Sequence, residues 1–296
     1  MELAKKINGE VISADSMQIY KDMTIGTAKP IPKEMDGVPH HLIDFVRPDE
    51  RYSVANFKKD AEEQIENIIN RGKTPIIVGG TGLYIDSLIY GIEYPDIKLD
   101  EEYRNKLTEI AETSNGLKNL YEEAKKIDSK AIEKISPNDK KRIIRILELY
   151  NATGKTKTEL EKISRSGEIK YKYKVFGINM DREKLYNRID LRVDLMLKDG
   201  LIDEVKNLIK KYNTFPTAMQ GLGYKEVVEF LDGKITEDEM IDKIKQETRR
   251  FAKRQLTWFR KNKDIIWLDG SEDKDTNVHI ILDNVKMWKE LFLAYG

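Results

Sequence analysis

The sequence predicts an α/β protein, a parallel, doubly wound sheet flanked by helices and interrupted by an all-helical insertion. Three observations predict it. Short apolar runs rich in Ile and Val recur at 10–14, 41–46, 74–79, 174–180 and 264–269 and mostly lack polar alternation, as in strands covered on both faces. Helical patterns with short joints lie between these runs, and that succession favours parallel pairing. The alternation stops near residue 97 and resumes near 172, with only helical patterns between.

Taken in order, "EVISA" (10–14) is the first strand and ends at Asp15-Ser16. "HLIDFV" (41–46) is the second, followed by a helix over 53–71. "TPIIVG" (74–79) is the third; the glycine-rich "GGTGLY" (79–84) then opens a helix over 83–90. The insertion reads as helices at 100–113, 117–126, 128–135, 138–152 and 156–163. "KVFGINM" (174–180) restores the strand pattern, and two long amphipathic helices are expected at 182–211 and 236–261. "DIIWLD" (264–269) is the last strand, before a helix over 278–293. The expected division is a core of 1–97 and 166–296 around an insertion of 98–165.

Composition narrows the function classes. Lys+Arg and Asp+Glu are 52 each, so the net charge is zero and any nucleic-acid surface requires segregated charge. With no cysteine among the 296 residues, disulfides, thiolate metal sites and cysteine nucleophiles are excluded, and a cytoplasmic protein is expected. No apolar run approaches the ~20 residues that would span a bilayer, so no membrane partner is expected.

Ligands of open α/β sheets sit at the carboxyl ends of the strands, where Asp15-Ser16 and "GGTG" both fall. Gly79, Gly80 and Gly82 permit a sharp turn, and Thr81 brings a hydroxyl to a helix N-terminus suited to an anion. Alone, "GGTG" serves equally well as a packing turn and Asp15 as a cap; at two strand ends of one sheet they favour a site. On the helix at 182–211, Lys184, Arg188 and Arg192 form a cationic stripe, and neither arginine has an acid at i±3 or i±4. "RRFAKRQLTWFRKNK" (249–263) carries seven cations and no acid. "NDKKRIIRILE" (138–148) adds Lys141, Arg142 and Arg145. Each stripe can be a solvated helix face; in a neutral chain, together, they suit RNA or a diphosphate. Gly154-Lys155-Thr156 mimics the tail of a phosphate loop, but Leu149 stands where that loop needs another glycine, and the stretch follows a helix.

Seven stretches then carry a resemblance: "GEVISADSMQIYKDMTIGTAKP", "PHHLIDFV", "YSVANF", "PIIVGGTGLYI", "SPNDKKRIIRILE", "AMQGLGYKE" and "AKRQLTWFR". Their content and order resemble the tRNA dimethylallyltransferase (tRNA isopentenyltransferase) family over nearly the whole chain. The resemblance implies a P-loop-kinase-like sheet and a helical insertion that grips the anticodon stem-loop. It implies transfer of a dimethylallyl group from dimethylallyl diphosphate to the exocyclic amine of adenosine 37 in tRNA, assisted by Mg2+, by a monomer.

Carried over by position, Asp15 is the candidate general base, and Thr81 and Arg192 lie at the reacting centre, with Arg192 on the diphosphate. Ser16, Met17 and Gln18 match tRNA-contacting neighbours of Asp15; Arg104 matches a contact in the insertion. Lys141, Arg142, Ile143, Ile144 and Arg145 match a further contact segment, and Gln220, Gly221, Leu222, Gly223, Tyr224 and Lys225 another.

In that family a strand and a glycine-rich P-loop precede the helix matched by "ELAKKINGE", which would occupy about 20 residues ahead of Met1. These 296 residues alone are therefore expected to lack the diphosphate cradle, to retain tRNA binding and to transfer essentially no prenyl group. Two other readings stay open: a transferase acting on free adenine nucleotides, and a non-catalytic tRNA-binding remnant. The long basic insertion favours tRNA over a free nucleotide.

Overall fold

Among the described residues of the computed structural model five strands form, and every pairing between them is parallel. They are β1 (Gly9–Ser13), β2 (His40–His41), β3 (Thr74–Val78), β4 (Phe176–Asn179) and β5 (Ile266–Asp269). The structure describes residues 1–95, 97 and 100–295, and side chains as far as 287. The described strands make two sheets, ordered β2-β1-β3 and β4-β5, where one sheet was expected. β1 is the central strand: Val11 meets His40 on one side, and Gly9 to Ser13 run beside Thr74 to Val78 on the other. Its Ile12 and the following Ala14 are fully buried. β3 and β4 each pair along one edge only, and they expose Val78 and Ile178. The expected burial on both faces therefore holds for β1 and not for them.

The second strand is shorter than the 41–46 expected. Leu42 and Asp44 have φ of 56° and 57°, a left-handed backbone that cannot continue a ladder, and Val46 makes only an isolated bridge to Tyr20.

In the core the helices are α1 (Glu2–Lys6), α2 (Pro32–Met35), α3 (Val54–Asn70) and α4 (Gly82–Ile89). The middle of the chain forms α5 (Glu101–Glu112), α6 (Gly116–Ile127), α7 (Ser129–Ile132), α8 (Lys140–Thr153) and α9 (Lys157–Ser164). Then follow α10 (Arg182–Lys198), α11 (Leu201–Lys211), α12 (Tyr224–Leu231), α13 (Glu237–Phe259) and α14 (Lys274–Tyr295). Phe57, Ala61, Ile65 and Ile68 make the buried stripe of α3, and Phe57 stacks on Tyr84 with centroids 4.1 Å apart. Gly154 ends α8 in a left-handed conformation and Thr156 caps α9, so the Gly-Lys-Thr stretch is a joint between helices.

The single helix expected over 182–211 is two. Gly200 adopts φ of 100°, which a side chain would resist, and there the chain turns from α10 into α11. The turn aims Leu201, Val205 and Leu208 into a core with Ile19, Tyr20, Met23 and Tyr224. Helix α12 had no counterpart in the sequence reading.

The chain divides into two units: 1–88 with 171–296, and 89–170. Residue 98, where the insertion was expected to begin, lies outside the described residues. The second unit is helical and closes on its own core, which includes Leu107, Leu120, Ile132, Ile143, Ile146 and Leu147. Among the described residues no helix is long and apolar enough to cross a membrane.

Glu10 shows how the sheet tolerates charge. Its side chain is 3 % exposed and accepts from Lys73, His41 and Arg71. Burial pushes its pKa up, but the hydrogen bonds from Lys73 and His41 and the charge of Arg71 outweigh burial and hold it at about 2. Because the folded pKa lies below the unfolded one, this stabilisation is full above about pH 4.5 and is lost as pH falls toward 2. Glu10→Gln should therefore flatten the acid limb of unfolding in that window; an unchanged limb in urea titrations across pH 2–5 would refute the assignment.

Candidate functional site

The carboxyl ends of β1 and β3 meet at one point. Gly79 makes this possible: a Cβ there would lie 2.2 Å from the Ala14 carbonyl oxygen. Thr81 N donates to that same oxygen (3.3 Å). The Thr81 hydroxyl accepts from Ser16 N (3.0 Å) and donates to Ser16 Oγ (3.2 Å). Asp15 Oδ1 accepts from the amides of Met17 (2.8 Å) and Gln18 (3.2 Å), so half of the carboxylate caps the turn. Oδ2 has no hydrogen bond among the described residues. The structure thus joins Asp15, Ser16 and Thr81 into one cluster with a carboxylate oxygen to spare.

Helix α13 closes over the glycine turn. Gln255 Nε2 donates to Gly80 O (2.9 Å), and Trp258 Nε1 donates to Asp86 Oδ2 (3.0 Å) in the middle of α4. Both residues lie in a stretch quoted above for its cations, yet their contacts are with the turn. Arg192 reaches the cluster from α10. Desolvation lowers its pKa and the charge of Asp15 works against that, which puts the two within electrostatic reach. The guanidinium stays cationic. Arg192 therefore has an acidic neighbour after all, supplied by another element.

The remaining positions named from sequence fall into different environments. Gln18 is occupied: Nε2 donates to the carbonyls of Thr27 (3.2 Å) and Ala28 (3.3 Å), and Oε1 accepts from Ser13 Oγ (3.4 Å). Met17 packs on the core. Gln220 is exposed, and Leu222 and Lys225 are partly so, whereas Gly221 and Gly223 are buried. Tyr224 is 1 % exposed and donates to Glu204 Oε1 (2.6 Å), so its side chain serves the core and not a surface.

Sequence reading missed Glu204. Its carboxylate takes the amides of Thr24 (2.9 Å), Ile25 (2.7 Å) and Gly26 (3.2 Å) and so holds the loop whose carbonyls anchor Gln18. The available signal was a carboxylate at i+3 from Leu201 and i−4 from Leu208, within an apolar stripe. The run 249–263 is less free than it looked. Arg249 pairs with Asp190 (2.5 Å), Arg250 pairs with Glu247 (2.6 Å), and Arg254 lies over the Phe251 ring.

In the helical unit, Glu148 is 2 % exposed and accepts a fork from Arg104, through Nε and through Nη2 (2.9 Å). Arg145 Nη1 stands 4.0 Å from the same carboxylate. Burial lowers the pKa of Arg145, Glu148 raises it, and Arg104 lowers it further. One carboxylate thus holds two guanidinium groups, and the charge of Glu101 also acts on Arg104. Ile143 and Ile144 are buried in the unit's core, so their side chains are not surface contacts. Arg142 is exposed beside Asp139 (3.4 Å); Lys141 is exposed on the same turn.

Comparisons with known proteins agree with one another. The model of the IPP transferase family matches residues 18–262. A tRNA dimethylallyltransferase of Acetivibrio thermocellus is 48 % identical over 294 residues, 99 % of this chain and 93 % of that protein. One from Carboxydothermus hydrogenoformans is 51 % identical over 273 residues, 92 % of this chain and 88 % of that protein. The crystal structure of the full-length tRNA isopentenylpyrophosphate transferase of Bacillus halodurans superposes with a TM-score of 0.73 at 42 % identity, covering 100 % of this chain and 93 % of that one. A eukaryotic dimethylallyltransferase acting on tRNA gives a TM-score of 0.69 at 34 % identity, covering 90 % and 69 %.

Proposed function

The chain belongs to the IPP transferase family, and from that premise we infer that it is a tRNA dimethylallyltransferase, a transferase that modifies tRNA. The donor is dimethylallyl diphosphate and the acceptor the exocyclic amine of adenosine 37. The observation that supports this chemistry is a half-free carboxylate, Asp15, at the joined strand ends, within electrostatic reach of a cation, Arg192.

An aromatic amine is a weak nucleophile because its lone pair is delocalised into the ring. As the new C–N bond forms, Asp15 Oδ2 takes the amine proton while Oδ1 stays anchored on its two amides. The C–O bond to the diphosphate breaks with its electron pair, and the leaving group gains charge that Arg192 stabilises more in the transition state than before it. Thr81 holds Ser16 and, through the Ala14 carbonyl, the end of β1, so it fixes where Asp15 stands. To reach Asp15 the base must leave its stack, which costs a few kcal/mol. RNA contacts from Lys141, Arg142, Arg104 and Arg145, and from Gln220 and Lys225, offset that cost.

Among the described residues no three His, Asp or Glu side chains gather as metal ligands, and Asp15 already spends one oxygen on amides. These residues do not make a magnesium cage of their own; magnesium enters our proposal only as a counter-ion carried by the diphosphate. A cytoplasmic monomer completes the reading.

The deciding assay supplies labelled dimethylallyl diphosphate with tRNA and, separately, with AMP. Where transfer occurs, label is expected on tRNA and not on AMP, with mass spectrometry of the nucleosides placing it on adenosine 37. Label on AMP alone would make the chain a free-nucleotide transferase; tRNA binding with no transfer would leave an RNA-binding protein. For the RNA surface, replacing Lys141 and Arg142 together by Ala should reduce the slope of log affinity against log salt by about 1–2, each lost phosphate contact removing roughly 0.7–0.9. An unchanged slope would reduce the pair to a solvated helix face.

A further inference from the structure

Glu204 stands at the far end of a chain of hydrogen bonds that finishes on Asp15. Its Oε2 accepts from the amides of Thr24 (2.9 Å) and Ile25 (2.7 Å), and its Oε1 from the amide of Gly26 (3.2 Å) and the hydroxyl of Tyr224 (2.6 Å). Three successive amides on one carboxylate tie this segment to α11 by charge-assisted bonds. The turn then closes on itself: Ala28 N donates to Ile25 O (3.0 Å), Lys29 N to Thr24 O (3.0 Å) and Thr27 Oγ1 to Met23 O (2.7 Å). Its far side is tethered by Lys29 Nζ, which donates to Tyr20 O and to Asp44 Oδ1, both at 2.5 Å. Ala28 has φ of 47°, a left-handed backbone that a side chain resists and that persists only where the surroundings impose it. Thr27 O and Ala28 O, the carbonyls this turn presents, are the two that take Gln18 Nε2 (3.2 and 3.3 Å). Gln18 in turn gives its own amide to Asp15 Oδ1 (3.2 Å).

We propose that Glu204 is a positioning residue for the transfer reaction: it fixes the turn at 24–28, the turn fixes Gln18, and Gln18 fixes the carboxylate of Asp15. Only a carboxylate meets all four donors. A carboxamide in its place has one acceptor oxygen, and its NH2 would face either the amides of Thr24 and Ile25 or that of Gly26. A loosened turn carries its two carbonyls with it and frees Gln18 to shift. A small misplacement of a base relative to the proton it removes costs rate while leaving RNA binding intact. The effect on rate rests on the reading of Asp15 as the base; the mechanical link from Glu204 to Asp15 does not.

Amide hydrogen exchange of the 296-residue chain, followed by NMR, tests the link without requiring transfer. In Glu204→Gln the amides of Thr24, Ile25 and Gly26 should exchange roughly ten-fold or more faster, the loss of one charge-assisted bond, and those of Met17 and Gln18 should quicken with them. Ala14 N, held by Val78 O at 2.8 Å, should keep its protection. In a Gln18→Leu background the same substitution should leave Met17 unchanged, because the link is already cut. Should Glu204→Gln lose protection throughout the core, Tyr224→Phe withdraws one donor, keeps the carboxylate and is expected to give the same pattern in milder form. Faster exchange confined to Thr24, Ile25 and Gly26 overturns the proposal and leaves Glu204 as a staple of its own loop. So does an effect on Met17 that persists in the Gln18→Leu background. Where transfer occurs, the single-turnover rate of Glu204→Gln on saturating tRNA should fall roughly ten- to hundred-fold, with stem-loop affinity within about two-fold. An unchanged rate in Glu204→Gln where Asp15→Asn is slow overturns this inference alone; unchanged rates in both overturn the role given to Asp15 instead.

Discussion

Asp15→Asn is expected to slow the transfer step about 10²–10⁴-fold, the usual contribution of a general base, with tRNA affinity nearly unchanged. Asn is the informative replacement because its carbonyl can still accept the Met17 and Gln18 amides that Asp15 Oδ1 accepts at 2.8 and 3.2 Å. Ala would release both amides and disturb the turn that Ser16 shares with Thr81. Asn removes only the proton acceptor. Single-turnover transfer on saturating tRNA is the measurement, with stem-loop binding as its control. A rate within a few-fold of the parent would remove Asp15 from the chemistry and leave it as a cap. A parallel loss of binding and rate would make its role one of docking the RNA.

Glu148→Ala should be the most damaging substitution in the helical unit. It strands two guanidinium groups, Arg104 and Arg145, beside each other with no carboxylate between them. Removing one partner of a fully buried pair costs roughly 3–5 kcal/mol. Arg104 is 38 % exposed here, so water recovers part of its solvation, and about 3 kcal/mol is expected. Glu148→Gln keeps an acceptor for Arg104 and should lose less. Hydrogen exchange of the α5 and α8 amides reads the opening of this unit without relying on a single global transition. A loss below about 1 kcal/mol in the Ala variant would mean that the arginines find other partners at little cost.

Both predictions concern acids whose importance differs in legibility. Asp15 could be read from its place at the end of an apolar run, since strand ends in α/β sheets are where ligands bind. Glu148 could not: it sits in "RILE" like any helical surface acid, and only the packing of the second unit shows it buried beneath two arginines. The same packing withdrew Ile143 and Ile144 from the surface, and the packing of the core withdrew Tyr224. A motif match assigns a position, whereas burial decides whether its side chain can touch anything outside.

The sequence by itself determined four of the five described strands and most helices of this protein, because a period of two or of 3.6 and the chemistry of caps and turns are local properties. It also determined the two strand-end motifs, Asp15-Ser16 and the turn at Gly79 to Gly82, and the family they point to. Only the tertiary structure decided which charges meet. Arg192 comes under the influence of Asp15, Arg249 is neutralised by Asp190, and Glu204 gathers the amides of Thr24, Ile25 and Gly26, all between segments far apart in the chain. Electrostatic interaction falls off with distance in space and takes no account of separation along the chain. A helix wheel can therefore show which face carries cations, but the carboxylates that quench some and not others arrive only when the chain has closed on itself.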